Sequence, residues 1–421
     1  MRTSFIAIFG SAVTQRLSVL IMTVLAARLI GAQEFGKFAL VYATSISFSG
    51  FLGDALAATA NRYAVSAKAP DQGALEAGAT VLSFGLLVAV AAGLALTAGA
   101  PWLGALLSGG SAVDLTAYIR LAGLIAFFLL LNTVLNALLH TYQHNVAAAL
   151  AALAGSLLSA GAALAGAYRG GALGMCLGFA LGSAMSTAIY GALLYRRQPF
   201  AYLDPRYIGL FVRSGKIKEF TLPTAATMAL GGPVHWLCLS LLASSDDGLR
   251  NVAVFTVLFQ WYSILTFIPG AMMNFTIPWL AREKSVHPQR AGRAVAAVLL
   301  SNLGLSTALL CGIWLAKPQI LALYGPDFTG EGQLLLLLGL CGLLASLIAV
   351  MNQVSWAFGR SWGNLISALV YAAAYVASAL VFIKWQGMGV LGLGAAILVA
   401  SLMQGLLQAF FFVANRRAAH A

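Results

Sequence analysis

"SAVTQRLSVLIMTVLAARLIGAQEFGKF", residues 11–38, sets a permanent cation, Arg16, deep in an apolar run, ahead of a glycine at position 31 and the polar pair Gln33 and Glu34. An apolar helix of roughly 20 residues spans a hydrocarbon core about 30 Å thick. With the span beginning near Phe5, Arg16 falls at mid-depth, because each helical residue rises only about 1.5 Å. The stretch is too long for a signal peptide, contains Arg16 and Arg28, and is followed at once by a second apolar run, so it reads as a retained helix.

The same pattern continues along all 421 residues. The chain is 61% hydrophobic and 9% charged, against about 25% charged in an ordinary soluble domain. Windows of about 19 residues predict twelve helices, near 5–29, 38–59, 77–100, 117–140, 146–168, 172–195, 219–243, 251–277, 293–316, 333–357, 363–385 and 388–414. The expected class is therefore an all-α polytopic membrane protein.

The net charge of +12 does not point to nucleic acid, because the basic residues sit in short connections. One side carries Arg2, Arg62, Lys68, the basic stretch 196–218, Arg282, Lys284, Arg290, Arg293, Arg360, Arg416 and Arg417. The other carries Arg28, Lys37, Arg120, Arg169, Arg250, Lys317 and Lys384. The positive-inside bias then puts both termini in the cytoplasm, in keeping with an even number of spans. The cysteines, Cys176, Cys238, Cys311 and Cys341, lie in apolar runs without metal spacing and read as small core residues.

The longest connection divides the chain into a first lobe, 1–200, a basic linker, 201–218, and a second lobe, 219–421. A shift of 216 residues sets "LNALLHTYQHN" (135–145) against "MNQVSWAFGRS" (351–361) and "GALGMCLGFA" (171–180) against "GMGVLGLGAA" (387–396). Asn136 then pairs with Asn352 and Gly171 with Gly387. Six helices per block means both enter from one side, a parallel pseudo-two-fold repeat about the membrane normal.

Polar residues inside spans mark the candidate sites. A charge at a helix centre costs about 2.5–3.5 kcal/mol on insertion scales and faces a bundle interior or a watery cavity. Arg16, with Gln15 beside it, is read as a substrate contact or as half of a structural ion pair with Asp54, which lies near the cytoplasmic end of the second span and is the one carboxylate clearly inside a span. Asp54 is also the candidate for ion coupling. Asn132, Asn136 and His140, four residues apart, share one helix face and are read as interhelical hydrogen bonds or substrate contacts, with Asn352 as counterpart in the second block. Gly231, Gly232 and Pro233 mark a hinge candidate in the seventh span, and Pro269 and Pro278 predict that the eighth is bent or interrupted. Trp102, Trp279, Trp314, Trp385 and Tyr324 suit the interfacial belt. No metal spacing, nucleotide loop or nucleophile elbow is present, and an enzyme finds little to work with.

At "LAARLIGAQEFGKFALVYATSISFSGFLGDALAATANRYA" (25–64) the chain resembles the opening of polysaccharide-exporting proteins of the multidrug/oligosaccharidyl-lipid/polysaccharide (MOP) flippase superfamily. Their first two helices meet in an ARLLG-x-x-EFG turn, here Ala27-Arg28-Leu29-Ile30-Gly31 followed by Glu34-Phe35-Gly36. "ILALYGPDF" (320–328), "AFGRSWGNL" (357–365) and "GMGVLGLGAA" look like the family's later helices, and the "GDALAATANRYA" segment departs from the commoner DLGL form. The resemblance implies two six-helix bundles, a central cationic cavity and alternating-access movement of an isoprenoid-diphosphate-linked oligosaccharide. The expected setting is a bacterial inner membrane. The expected partners are the lipid-linked glycan, membrane lipid and H+ or Na+, with no cofactor, no metal, no nucleic acid and a monomeric state. The alternatives are a cation-coupled drug exporter of the same superfamily and, from another class, a membrane glycan polymerase or ligase.

Overall fold

A computed structural model describes residues 2–65, 72–108, 113–197, 229–358 and 361–417. Among these the chain is helical, in the order α1 (Arg2–Val65), α2 (Gln72–Ser108), α3 (Thr116–Thr141), α4 (Asn145–Arg197), α5 (Gly232–Ala243), α6 (Gly248–Val286), α7 (Pro288–Leu315), α8 (Lys317–Tyr324), α9 (Gly332–Ala357), α10 (Ser361–Ala379) and α11 (Gly389–Arg417). A π-helical turn, Leu380–Trp385, extends α10. The described helices form two compact units, Met1–Ser244 and Ser245–Ala421. The linker expected at 201–218 and Pro223 lie outside the described residues.

Nine of the described helices are long and apolar enough to cross a membrane, and α5 is a shorter apolar helix. Two of the nine are double. α1 breaks at Gly31, whose φ of 75° is open to glycine and strained for most other residues. In an unbroken helix Arg16 and Tyr42 would stand about 39 Å apart. They instead act on each other electrostatically, so the chain folds back at Gly31. α4 reverses at Gly170 and Gly171, the latter at φ 57°. Counting each double helix twice, and α5 as the described part of the seventh, gives the twelve spans that periodicity predicts.

The α4 reversal is closed by small residues. A Cβ placed on Gly174 would lie 2.2 Å from the Gly166 carbonyl oxygen, and one on Gly178 would lie 2.0 Å from that of Ala162. One on Gly182 would meet the Ser159 backbone at 2.4 Å. These pairs step outward symmetrically from Gly170, as two antiparallel helices in backbone contact require. Without a hydrophobic force between helices in lipid, such close packing is what holds them.

Backbone geometry repeats with the shift read from the sequence. α3 and α9 cover the same stretch displaced by 216 residues, Thr116–Thr141 and Gly332–Ala357. Left-handed residues recur at the same interval, Gly31 with Asp247 and Gly171 with Gly387. Asp tolerates that conformation better than most residues.

Three local expectations change. In the seventh span residues 230–231 form a turn, and α5 starts at Gly232 with Pro233 in its first turn, where the missing N–H costs nothing. α6, in contrast, runs through Pro269 and Pro278 without interruption. Tyr324 does not join the interfacial belt: it is fully buried against Phe328, whereas Trp102, Trp279, Trp314 and Trp385 are exposed. Cys311 is exposed, unlike the other three cysteines, so it is not a core residue.

Candidate functional site

In the first unit the Gly31 turn sits against the Gly170–Gly171 turn. Glu34 Oε2 accepts the Ala172 N–H at 3.3 Å, satisfying a donor at the start of the second half of α4, where the helix dipole favours an anion. Glu34 also pairs with Lys37, whose ammonium lies over the Tyr118 ring. The conspicuous "EFGKF" turn thus ties two helix reversals and α3 together, and carries structure rather than chemistry.

Arg16 is exposed on the surface of this unit. Leu17, Ile21 and Leu25, spaced by four and all exposed, define the outward apolar stripe of the helix. Arg16 is rotated about 100° from that stripe. It shares a column with Ala12, Leu20 and Thr23, of which Thr23 is buried. Its guanidinium acts on Tyr42, whose ring stacks on Phe38 at 5.8 Å and meets the edge of Phe179 at 5.4 Å. The charge is therefore within electrostatic range of an aromatic cluster fixed by the second half of α1 and by α4. Gln15 bonds within its own helix, Nε2 to the Ser11 carbonyl at 3.3 Å.

Asp54 is exposed, and no ion pair among the described residues involves it. It lies eight residues further from the Gly31 reversal than Arg16 does, about 12 Å along the helices, which puts the two out of reach. Elsewhere on the second half of α1, Trp236 Nε1 donates to Thr44 Oγ1 at 2.9 Å and its ring meets Phe48 edge-on at 5.5 Å. This fixes α5 to α1 one turn after Gly232, whose added Cβ would touch Ser47.

The polar ladder on α3 divides into used and unused groups. The Thr187 hydroxyl lies 2.9 Å from both Asn132 Oδ1 and the Ser183 carbonyl. His140 Nδ1 and Asn145 Oδ1 are 2.8 Å apart across the α3–α4 turn. Asn136 Oδ1 is buried with no hydrogen-bond partner. In the second unit the side-chain oxygen of the matching Asn352 is bonded. Gln408 Nε2 donates to its Oδ1 at 2.6 Å and also approaches Ser367 Oγ at 3.2 Å, while Asn364 Nδ2 donates to its carbonyl at 3.1 Å.

The repeat explains the contrast. The positions matching Asn364, Ser367 and Gln408 in the first block are Ala148, Ala151 and Ala192. Asn352→Ala is expected to lower stability by roughly 1–2 kcal/mol, since the buried Gln408 amide loses its partner while the Asn364 bond to the backbone carbonyl remains. Asn136→Ala should stay within about 0.5 kcal/mol, because its acceptor is already unpaired. Thermal unfolding of the purified protein in detergent reads both. Equal losses would mean that Asn136 has a structural partner.

Sequence reading missed Tyr42, Thr187 and Trp236. For Tyr42 the signal was present, an aromatic four residues after Phe38. Nothing in the order of residues ties Thr187 to Asn132.

No family model matches the chain. A stretch of 183 residues is 35% identical to the EPS I polysaccharide export inner membrane protein EpsE of Ralstonia nicotianae, covering 43% of this chain and 42% of that protein. The corresponding protein of Ralstonia solanacearum is 33% identical over the same length. The match thus spans about two fifths of the length of these curated relatives. Among solved structures, an inward-facing MATE multidrug transporter of the MOP superfamily superposes with TM-score 0.77, 17% identity, and 96% and 95% coverage of the two chains. The inward closed lipid II flippase MurJ gives TM-score 0.77 and 17% identity over 98% of this chain and 87% of its own. The chain has the two-lobe, twelve-helix fold of MOP superfamily transporters.

Proposed function

We propose that this protein moves an isoprenoid-diphosphate-linked oligosaccharide across a bacterial inner membrane by alternating access, for assembly of a surface polysaccharide. The observation that carries the reading is Arg16, a permanent charge at mid-span that stands off the apolar outward stripe and within electrostatic range of Tyr42. A guanidinium makes strong charge-assisted hydrogen bonds to phosphate or carboxylate oxygens. The diphosphate or an acidic sugar would meet it there, while Asn136, with its open acceptor, receives a sugar hydroxyl. Asn132, His140 and Asn352 keep the helices around the cargo in register.

Support from the relatives is of two kinds. The matched Ralstonia proteins are named for polysaccharide export at an inner membrane, and one neighbour in fold is named a lipid II flippase. The protein makes and breaks no covalent bond in this reading. Bending at Gly231, Gly232 and Pro233, at the turn in the seventh span, exchanges the two openings. Asp54, without an ion pair among the described residues, is the proposed site for H+ or Na+ coupling. Both termini are placed in the cytoplasm.

The test is deletion of the gene in its host, with surface polysaccharide and lipid-linked units measured on each leaflet. The expected outcome is loss of the surface glycan and accumulation of lipid-linked units on the cytoplasmic leaflet, both reversed by the wild-type chain. An unchanged surface glycan would reject the proposal. Accumulation on the outer leaflet would point to a polymerase or ligase instead.

A further inference from the structure

The junction of α6 and α7 carries charge that neither the fold nor the transport reading uses. α6 has 39 residues and is about 58 Å long, nearly twice the thickness of a hydrocarbon core of about 30 Å. It passes the exposed Trp279, continues to Val286, and turns into α7 through a single non-helical residue, His287. The helical hairpin so formed stands beyond the apolar layer at the end of the unit that holds most of the Lys and Arg.

Arg282, Arg290 and Arg293 are all exposed on this hairpin, and no ion pair among the described residues engages any of them. Lys284 has a different role. Its Nζ donates to the Phe358 carbonyl at 3.3 Å and lies 4.6 Å from the Phe358 ring centroid, which fastens the hairpin to the end of α9. The one acidic neighbour, Glu283, is partly buried. Three arginines therefore sit on an anchored scaffold with their charge turned to solvent.

The first repeat keeps a lysine, Lys68, at the place of Lys284 but has none of the three arginines, so a general preference for basic loops does not account for them. The residues matching Arg282, Arg290 and Arg293 in the first block are Ser66, Ala74 and Ala77, with Asp71 and Glu76 among them. We propose that the α6–α7 hairpin is a docking surface for anionic phospholipid headgroups of the cytoplasmic leaflet, held by Arg282, Arg290 and Arg293. Charge complementarity sets the chemistry, since basic clusters immediately beside membrane helices attract anionic lipid. The spread of the three arginines over two helices favours several monoanionic headgroups over one chelated diphosphate. The exposed Trp279 places apolar surface at the depth where acyl chains begin.

The test uses the full-length protein in detergent, titrated with phosphatidylglycerol or phosphatidylcholine and scored for bound lipid by native mass spectrometry. Each arginine near an anionic surface contributes a factor of roughly five, so the three together give a preference for phosphatidylglycerol of roughly a hundredfold. The triple variant Arg282→Gln, Arg290→Gln, Arg293→Gln is expected to bind both lipids about equally. Its unfolding temperature in phosphatidylcholine should match the wild type, which separates lost binding from lost folding. No preference in the wild type, or an undiminished preference in the triple variant, overturns the proposal. So does inorganic diphosphate that displaces phosphatidylglycerol from the wild type at concentrations where inorganic phosphate does not, because the arginines would then converge on one diphosphate. None of these readouts depends on transport, so a failure here leaves the flippase reading untouched.

Discussion

Cells whose only copy carries Arg16→Ala are expected to export surface polysaccharide roughly 10- to 100-fold more slowly at normal protein level, the loss of a charge-assisted contact worth about 1.5–3 kcal/mol. Arg16→Lys should fall between the two, since an ammonium keeps the charge and gives up the planar two-pronged geometry that matches phosphate. Tyr42→Phe should export nearly as wild type, because its ring packing on Phe38 and Phe179 survives the loss of the hydroxyl. The physical basis is the cost of the charge. A guanidinium at mid-span persists only where something polar meets it. Asp54 does not supply that partner, and the rotation of Arg16 away from Leu17, Ile21 and Leu25 turns it from the apolar face. Normal export by Arg16→Ala would remove the anion contact from the proposal.

The spans were legible because a helix in lipid must satisfy its own backbone, so each crossing leaves about 20 apolar residues in a row. The 216-residue repeat was legible for a related reason. Its surest letters, Gly171 and Gly387, sit where a left-handed backbone admits little else. The fates of polar side chains were not legible, because a hydrogen bond is settled by what the facing helix offers. Asn136 and Asn352 are the same letter at matching places, yet one faces alanine positions and the other a glutamine and a serine. Tyr324 misled through its place near a span end, where the belt pattern and a core residue look alike, and only the packing against Phe328 separates them. Pro269 and Pro278 misled in the opposite direction. A proline removes one backbone bond, and α6 continues past both. One carbonyl there, that of Pro269, accepts the Gln353 side-chain amide at 2.8 Å from a helix 84 residues away.

The α4 reversal supplies the largest expected loss of stability. Gly174→Val should destabilise the protein by about 3 kcal/mol or more, at the upper end of overpacking costs, because the clash is with backbone and no rotamer relieves it. The Cβ would enter within 2.2 Å of the Gly166 carbonyl, and the helices would have to part along the contact that continues through Gly178 and Gly182. Parting them also strains the Gly170–Gly171 turn and the Ala172 N–H that Glu34 holds. The second unit provides the control. At the places of Gly166 and Gly174 it has Phe382 and Val390, so its last two spans meet in another way, with a Cβ on Gly392 coming 3.1 Å from that of Phe382. Val390 is buried there but meets no facing backbone at clash distance, so Val390→Gly is expected to cost about 2–3 kcal/mol, the loss of its side chain plus the flexibility of glycine. Fluorescence-detected size-exclusion chromatography after a temperature series reads both. If Gly174→Val elutes and melts as wild type, the helices of the hairpin are not in backbone contact, and the small-residue closure assigned to the first unit is wrong.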